Sequence, residues 1–132
     1  MPVVVLVTKI LVVDDEVSIL RSTQLLLEDM GFEVVTTSDH TQVLEIARKE
    51  RPDLILQDVR MPGLDLDKLV GTLRSEPALQ HLPILLFSAS MDLGETAQRV
   101  GAEGVLDKPF KPREVLDAVH SALAATPAGG HA

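Results

Sequence analysis

A chain of 132 residues suits one domain and is long enough to bury a core. It has no cysteine, which excludes disulfides, thiolate metal sites and a cysteine nucleophile, and an intracellular, cytoplasmic setting is the expectation. The formal net charge of -8, with Lys and Arg scattered, argues against a nucleic-acid or anionic-membrane surface, because phosphate binding needs clustered cations. Residues 1–8 read as an N-terminal extension: the apolar run Val3 to Val7 is far too short to span a membrane and no small-residue cleavage site follows it. Such a β-prone run could pair edge to edge with another chain, so the expected state is a monomer or weak dimer.

Ile10-Leu11-Val12-Val13 predicts the first strand, and Asp14-Asp15-Glu16 follows it. Val17, Leu20, Leu27 and Met30 then recur at helical spacing, with Gly31 as the stop. Glu33 to Thr37 is a short second strand. Asp39 with Gln42 has the form of a capping box, and Val43, Leu44, Ile46 and Ala47 give the second helix its buried stripe before Pro52. Leu54-Ile55-Leu56 reads as a strand covered on both faces; it stops at Asp58, where Met61-Pro62-Gly63 forces a turn. A less regular helix over Leu66 to Ser75 ends at Glu76-Pro77. Pro83 introduces Ile84-Leu85-Leu86-Phe87, a fourth strand finishing at Ser88. Asp92 with Glu95 suggests another capping box, with Leu93, Ala97 and Val100 on one face and Gly101 as the stop. Gly104-Val105-Leu106 is a short fifth strand, and Pro112 opens a last helix with Val115, Leu116, Val119, Ala122 and Leu123 inward. The domain is expected over 9–123, with 124–132 a disordered tail or the start of a linker.

Strand and helix alternate five times, which predicts an α/β fold with a five-stranded parallel sheet and helices on both faces. The order 2-1-3-4-5 of the flavodoxin-like doubly wound class suits five strands. All strands then point one way, and Asp14, Asp15, Asp58, Ser88 and Lys108 arrive at one edge. Three carboxylates crowded there repel one another, and a hard divalent ion such as Mg²⁺ relieves the strain with carboxylate, carbonyl and water ligands. Lys108 adds a fixed positive charge and Ser88 a hydroxyl. An aspartate nucleophile, a metal, a lysine and a hydroxyl make a phosphoryl-transfer apparatus, with Asp58 attacking in line.

Each element has a plainer reading on its own. Asp14-Asp15 could cap the first helix, Ser88 alone says little, and Lys108-Pro109 could be a turn with a cis bond. Their joint arrival at one edge favours the chemistry. The chain has no glycine-rich phosphate loop for direct use of ATP. His40, His81, His120 and His131 lack paired ligand spacing and read as surface residues.

From Lys9 to Leu123 the chain also resembles the receiver domain of two-component response regulators. The matching marks are Val12-Val13-Asp14-Asp15-Glu16, Asp58-Val59-Arg60-Met61-Pro62-Gly63, Ser88-Ala89, Gly101-Ala102 and Lys108-Pro109-Phe110. The resemblance implies that Asp58 accepts a phosphoryl group from a histidine kinase or histidine phosphotransfer protein. It implies Mg²⁺ held by Asp15, Asp58 and the backbone carbonyl of Arg60, with Asp14 acting mostly through water. Ser88, the backbone of Ala89 and Lys108 would hold the phosphoryl oxygens, and Ser88 would move toward them on activation. Arg60 and Ser90 flank the expected path of attacking water and are where control of phosphate lifetime is expected.

The chain departs from the family pattern in three places. Val105 stands where receivers usually carry an aromatic switch on the fifth strand; Ser88 to Gly101 is short, which should trim the fourth helix; and Leu66 replaces a glycine commonly found after the acidic residue matched by Asp65. Output through helix 4, strand 5 and helix 5 is therefore expected to shift helix 4 without an aromatic swing. A phosphorylation-independent docking module on the same fold is the first alternative, although no pocket residue is lost. An aspartyl phosphatase is the second: dehalogenase-type enzymes place a general acid two residues after the nucleophile, where this chain has Arg60, which cannot release a proton. Asp65-Leu66-Asp67 has the required form but follows a turn. No effector is recognisable after Leu123, so the downstream partner is left open between a separate protein and a larger parent chain.

Overall fold

Apolar runs flanked by turn residues set the strands, and amphipathic segments between them set the helices. The computed structural model describes residues 7–89 and 92–125. In chain order the elements are β1 (Lys9–Val13), α1 (Val17–Asp29), β2 (Glu33–Thr37), α2 (Val43–Glu50), β3 (Leu54–Asp58), α3 (Leu66–Ser75), β4 (Ile84–Ser88), α4 (Leu93–Val100), β5 (Gly104–Asp107) and α5 (Pro112–Ala125). The sheet order is β2-β1-β3-β4-β5 and every pairing is parallel, as the alternation implied.

Side chains alternate across the sheet, so each strand feeds two cores. Leu11, Val13, Ile55 and Leu86 pack with Val43 and Ala47 of α2, Val70 and Leu73 of α3, and Leu93 and Ala97 of α4. Ile10, Val12, Leu54, Leu56, Leu85 and Phe87 pack with Leu20 and Leu27 of α1 and Val115, Val119 and Ala122 of α5. The register aligns the carboxyl ends: Val13 lies beside Gln57, Asp58 beside Phe87 and Ser88 beside Asp107. That alignment places the residues following β1, β3 and β5 along one edge.

Several helix ends differ from the sequence expectation. Asp39 does not open α2; its carboxylate accepts from Thr41 N at 2.9 Å and Thr41 Oγ1 at 2.6 Å and caps a 3-10 turn over His40–Gln42. A short acidic side chain closes most readily on the backbone two residues ahead, which competes with a full capping box. Asp92 occupies the N-cap of α4, but its side chain makes no cap hydrogen bond to that helix. Conversely, Asp65 caps α3 by accepting from Lys68 N at 3.1 Å, a role the sequence reading did not assign. At the chain ends, Thr8 O accepts from Glu33 N at 2.9 Å, and Val7 is half exposed. The rest of the Val3 to Val7 run and the tail Thr126 to Ala132 lie outside the described residues, while α5 itself continues through Ala125.

Arg74 of α3 joins four segments. Its Nη1 donates to Leu82 O at 2.6 Å and Gln80 O at 3.2 Å; its Nη2 donates to Gly101 O at 3.2 Å and to Glu103 Oε1 at 2.9 Å. Glu103 Oε1 also accepts from Ile84 N at 2.7 Å. The guanidinium thus ties α3, the entry to β4, the end of α4 and the start of β5. Replacing Arg74 with Ala leaves carbonyls and a half-buried carboxylate unpaired, and is expected to cost about 2 kcal/mol, or about 7 °C in melting temperature for a chain of this size. Calorimetry of the variant checks this, and an unchanged transition would contradict it.

Candidate functional site

Asp14 follows β1 and is fully buried, with 0% of its surface exposed. Its Oδ1 accepts from Glu16 N at 2.9 Å, its Oδ2 accepts from Lys108 Nζ at 2.8 Å, and its own N–H donates to Thr37 O at 3.3 Å. The plainer reading of Asp14 as the cap of α1 does not hold: the N-cap position belongs to Glu16, whose side chain makes no cap bond. Asp15 is exposed on the rim. Asp58 ends β3 with only 3% exposure; its Oδ1 accepts from Arg60 N at 3.1 Å and lies 3.9 Å from Lys108 Nζ. Ligand oxygens of Asp14, Asp15 and Asp58 all lie within 4.8 Å of one another.

Lys108 is aimed inward by its backbone and by its stem. Its N–H donates to Ser88 O at 3.0 Å, one step past the β4–β5 ladder, and the Lys108-Pro109 peptide that follows is cis. Its Nζ lies 4.5 Å from the centroid of the Phe87 ring, within cation–π range. Phe110 packs against the same ring at 6.4 Å between centroids. Ser88 is buried and Ala89 is exposed beside it. The structure therefore brings Asp14, Asp15, Asp58, Ser88 and Lys108 to one edge. Arg60 is exposed, and Ser90 lies outside the described residues. Val105 is half-buried, sits beside Leu86 of β4 and packs on the α2–α3–α4 side of the sheet, away from this pocket.

The electrostatics follow from burial. Loss of water pushes the Asp58 carboxyl up to about 6, with the Asp14 carboxylate adding to the rise, while the Arg60 N–H and the Lys108 ammonium oppose it. Crowding of like charges, the cause expected from sequence, is thus secondary to desolvation. The donor set fits a hard cation: three carboxylates, two of them buried, face one lysine, and all the ligand atoms are oxygens.

Two nearby side chains escaped the sequence reading. Gln57 is buried and its Nε2 donates to Asp58 O at 2.9 Å and approaches Met61 Sδ at 3.6 Å, while its Oε1 has no hydrogen-bond partner among the described residues. His40, read as a surface residue, is half-buried, with Nε2 3.1 Å from Pro62 O. His81 and His120 are exposed. An amide ahead of an acidic strand end is a visible anomaly in an apolar run. The partner of His40, 22 residues along the chain, leaves no local signal.

A doubly wound α/β domain carrying a buried aspartate in an acidic, lysine-bearing pocket at the carboxyl edge of its sheet is the class these features define. The chain belongs to the response regulator receiver domain family of two-component signalling, whose model matches residues 10–120. It is 40% identical over 117 residues to the alkaline phosphatase synthesis transcriptional regulatory protein PhoP of Bacillus subtilis, covering 87% of this chain and 48% of that protein. A probable transcriptional regulator, ycf27 of Porphyra purpurea, is 41% identical over 120 residues, covering 87% and 47%. The chain thus spans about half the length of the curated relatives it matches. Among solved structures, the chemotaxis protein CheY4 of Vibrio cholerae superposes with a TM-score of 0.80 at 34% identity, covering 89% of this chain and 99% of that one. The receiver domain of the sensor histidine kinase PA1611 of Pseudomonas aeruginosa, solved with a magnesium ion in its active-site cleft, superposes with a TM-score of 0.81 at 25% identity, covering 91% and 100%. Among the described residues no helix is long and apolar enough to cross a membrane.

Because the folded pKa of Asp58 lies above the unfolded value of 3.8, its contribution to stability is favourable below about 3.8 and is lost as pH rises through about 6. In metal-free protein at pH 7.5, Asp58→Asn is expected to raise stability by up to about 3 kcal/mol, the free energy of a shift of this size. The advantage should vanish near pH 4. Denaturant titrations of both proteins at the two pH values check this, and a gain that does not depend on pH would overturn it.

Proposed function

We propose that this receiver domain is a phosphorylation-dependent switch in a phosphorelay, with Asp58 as the phosphoacceptor. The observation that carries the reading is the meeting of the Asp14, Asp15 and Asp58 carboxylates within 4.8 Å, with Lys108 Nζ 2.8 Å from Asp14 and 3.9 Å from Asp58. The donor is a phosphohistidine on a histidine kinase or histidine phosphotransfer protein. An Asp58 carboxylate oxygen attacks phosphorus in line; the new P–O bond forms as the P–N bond to the donor's imidazole breaks, and the imidazole leaves as the displaced group. With its carboxyl pushed only to about 6, Asp58 is mostly ionised at neutral pH and so is available as the nucleophile.

Lys108 stands ready to pair with a phosphoryl oxygen, and Ser88 supplies a hydroxyl donor from the neighbouring strand end, with the backbone of Ala89 beside it. Asp15, Asp58 and the carbonyl of Arg60 would hold Mg²⁺. Asp14, both of whose oxygens already accept hydrogen bonds, would reach it through water. When bound, the ion neutralises charge on the transferring oxygens. The magnesium site of the similar PA1611 receiver supports this assignment. Control of water access to the acyl phosphate is assigned to Arg60, which is exposed, with Ser90 as its proposed companion. The activity is confined to the domain's own phosphorylation and dephosphorylation.

An apolar cleft of about 570 Å³ beside the pocket is lined by Ile19, Leu26, Ala89, Pro109, Phe110 and Pro112, with Lys108 on its wall. It offers the donor protein a seat that brings its phosphohistidine to Asp58. Output runs through α4, β5 and α5 to a separate protein or a domain of a longer chain. The charge of -8 speaks against direct contact of this segment with nucleic acid. With Val105 on β5 in place of a ring, the readout is a displacement of α4.

Acetyl phosphate with Mg²⁺ should add one phosphoryl group to the native chain by mass spectrometry and none to Asp58→Asn. An unmodified native chain would favour a docking module that works without phosphorylation. With beryllofluoride and Mg²⁺, amide resonances across residues 88–106 should move; a spectrum unchanged there would refute relay through α4.

A further inference from the structure

The loop after Asp58 is latched from outside the pocket. Leu64 N donates to Met61 O at 3.1 Å, and Gly63 has φ of +78, which with Pro62 ahead of it is the signature of a type II turn. In that turn the carbonyl of the second residue projects toward the side where the third would carry a Cβ, which is why glycine is required there. His40 sits on that side: Nε2 is 3.1 Å from Pro62 O, and a Cβ on Gly63 would lie 3.5 Å from it. Because a carbonyl only accepts, Nε2 carries the proton and donates.

His40 is itself held firmly. It begins the 3-10 turn that Asp39 caps through Thr41, and the Asp39 N–H donates to Thr37 Oγ1 at 3.1 Å. Thr37 O in turn accepts from Asp14 N. Hydrogen bonds joined by short stretches of backbone therefore link the Asp14-Asp15 loop, through the end of β2, to the turn that follows Arg60. The two loops that supply the acidic pocket are braced against each other behind it.

Building on the phosphoacceptor reading above, we propose that His40 is a positioning residue: its Nε2–H latch on Pro62 fixes the Asp58-to-Gly63 loop and so sets the strength of the divalent-cation site. The cation never touches the imidazole. The latch acts by keeping the Arg60 carbonyl and the Asp58 carboxylate in one arrangement, so that binding does not first have to order the loop.

Calorimetric titration of Mg²⁺ into the full chain tests this, together with the rate of phosphorylation by acetyl phosphate as Mg²⁺ is varied. His40→Ala should weaken Mg²⁺ binding about fivefold, the factor that one hydrogen bond of ordinary strength is worth. The Mg²⁺ concentration for half-maximal phosphorylation should rise by the same factor, with the rate at saturating Mg²⁺ little changed. Glutamine carries its amide nitrogen near the place of Nε2 and asparagine near that of Nδ1, so His40→Gln should restore binding and His40→Asn should not. A melting temperature that falls in His40→Ala while Mg²⁺ affinity stays within about twofold of native would overturn the proposal, as would rescue by asparagine equal to that by glutamine. A native chain that binds no Mg²⁺ would remove the phosphoacceptor reading itself, and the latch with it.

Discussion

One half-buried lysine serving two buried carboxylates is the constraint on which this molecule turns. Asp14 and Asp58 are both withdrawn from water, and Lys108 reaches the first closely and the second only at the margin of an ion pair. Removing a partner from such a group is costly because the charge left behind has no solvent. The protein meets this by steering the ammonium from behind, with Phe87 under its Nζ and the Ser88 carbonyl on its backbone. The balance stays incomplete, and Asp58, with the poorer share, keeps its proton to higher pH than a free carboxyl would. A strongly shifted carboxyl in a pocket of opposing charges is the kind of group that marks a functional site.

The sheet makes the meeting possible. Residues 14, 58 and 108 belong to segments separated by whole strand–helix units, and only parallel pairing in register delivers them to one edge. Because β3 and β4 are buried along their full length, their ends cannot slip without carrying apolar side chains into water.

Much of this was legible in the chain itself. Continuous apolar runs marked the strands, helical spacing of Val43, Leu44, Ala47 and their like marked the helices, and the alternation fixed the layering. The acidic and basic residues at strand ends were visible because they interrupt those runs. What stayed hidden was decided by competition between nearby partners. Asp39 chose Thr41 over α2, Asp65 served as a cap without an acidic partner three residues on, and Asp14 faced Lys108 rather than the helix it precedes. Whether burial or repulsion dominates at Asp58 is likewise a property of packing density around it, which one-dimensional spacing does not carry. The partner of His40 was hidden for the same reason, since the carbonyl it meets lies in a loop from another strand.

The guanidinium of Arg74 carries a consequence for motion. It holds Gly101, where α4 stops, and Glu103, where the chain enters β5, while contributing no bond at the opposite end of that helix near Leu93. That helix, eight residues and about 12 Å long, is seated at its other end by Leu93, which is buried in the core. The last turn of α4 and the entry to β5 are therefore coupled through a single side chain, so neither can shift without the other or without breaking those bonds.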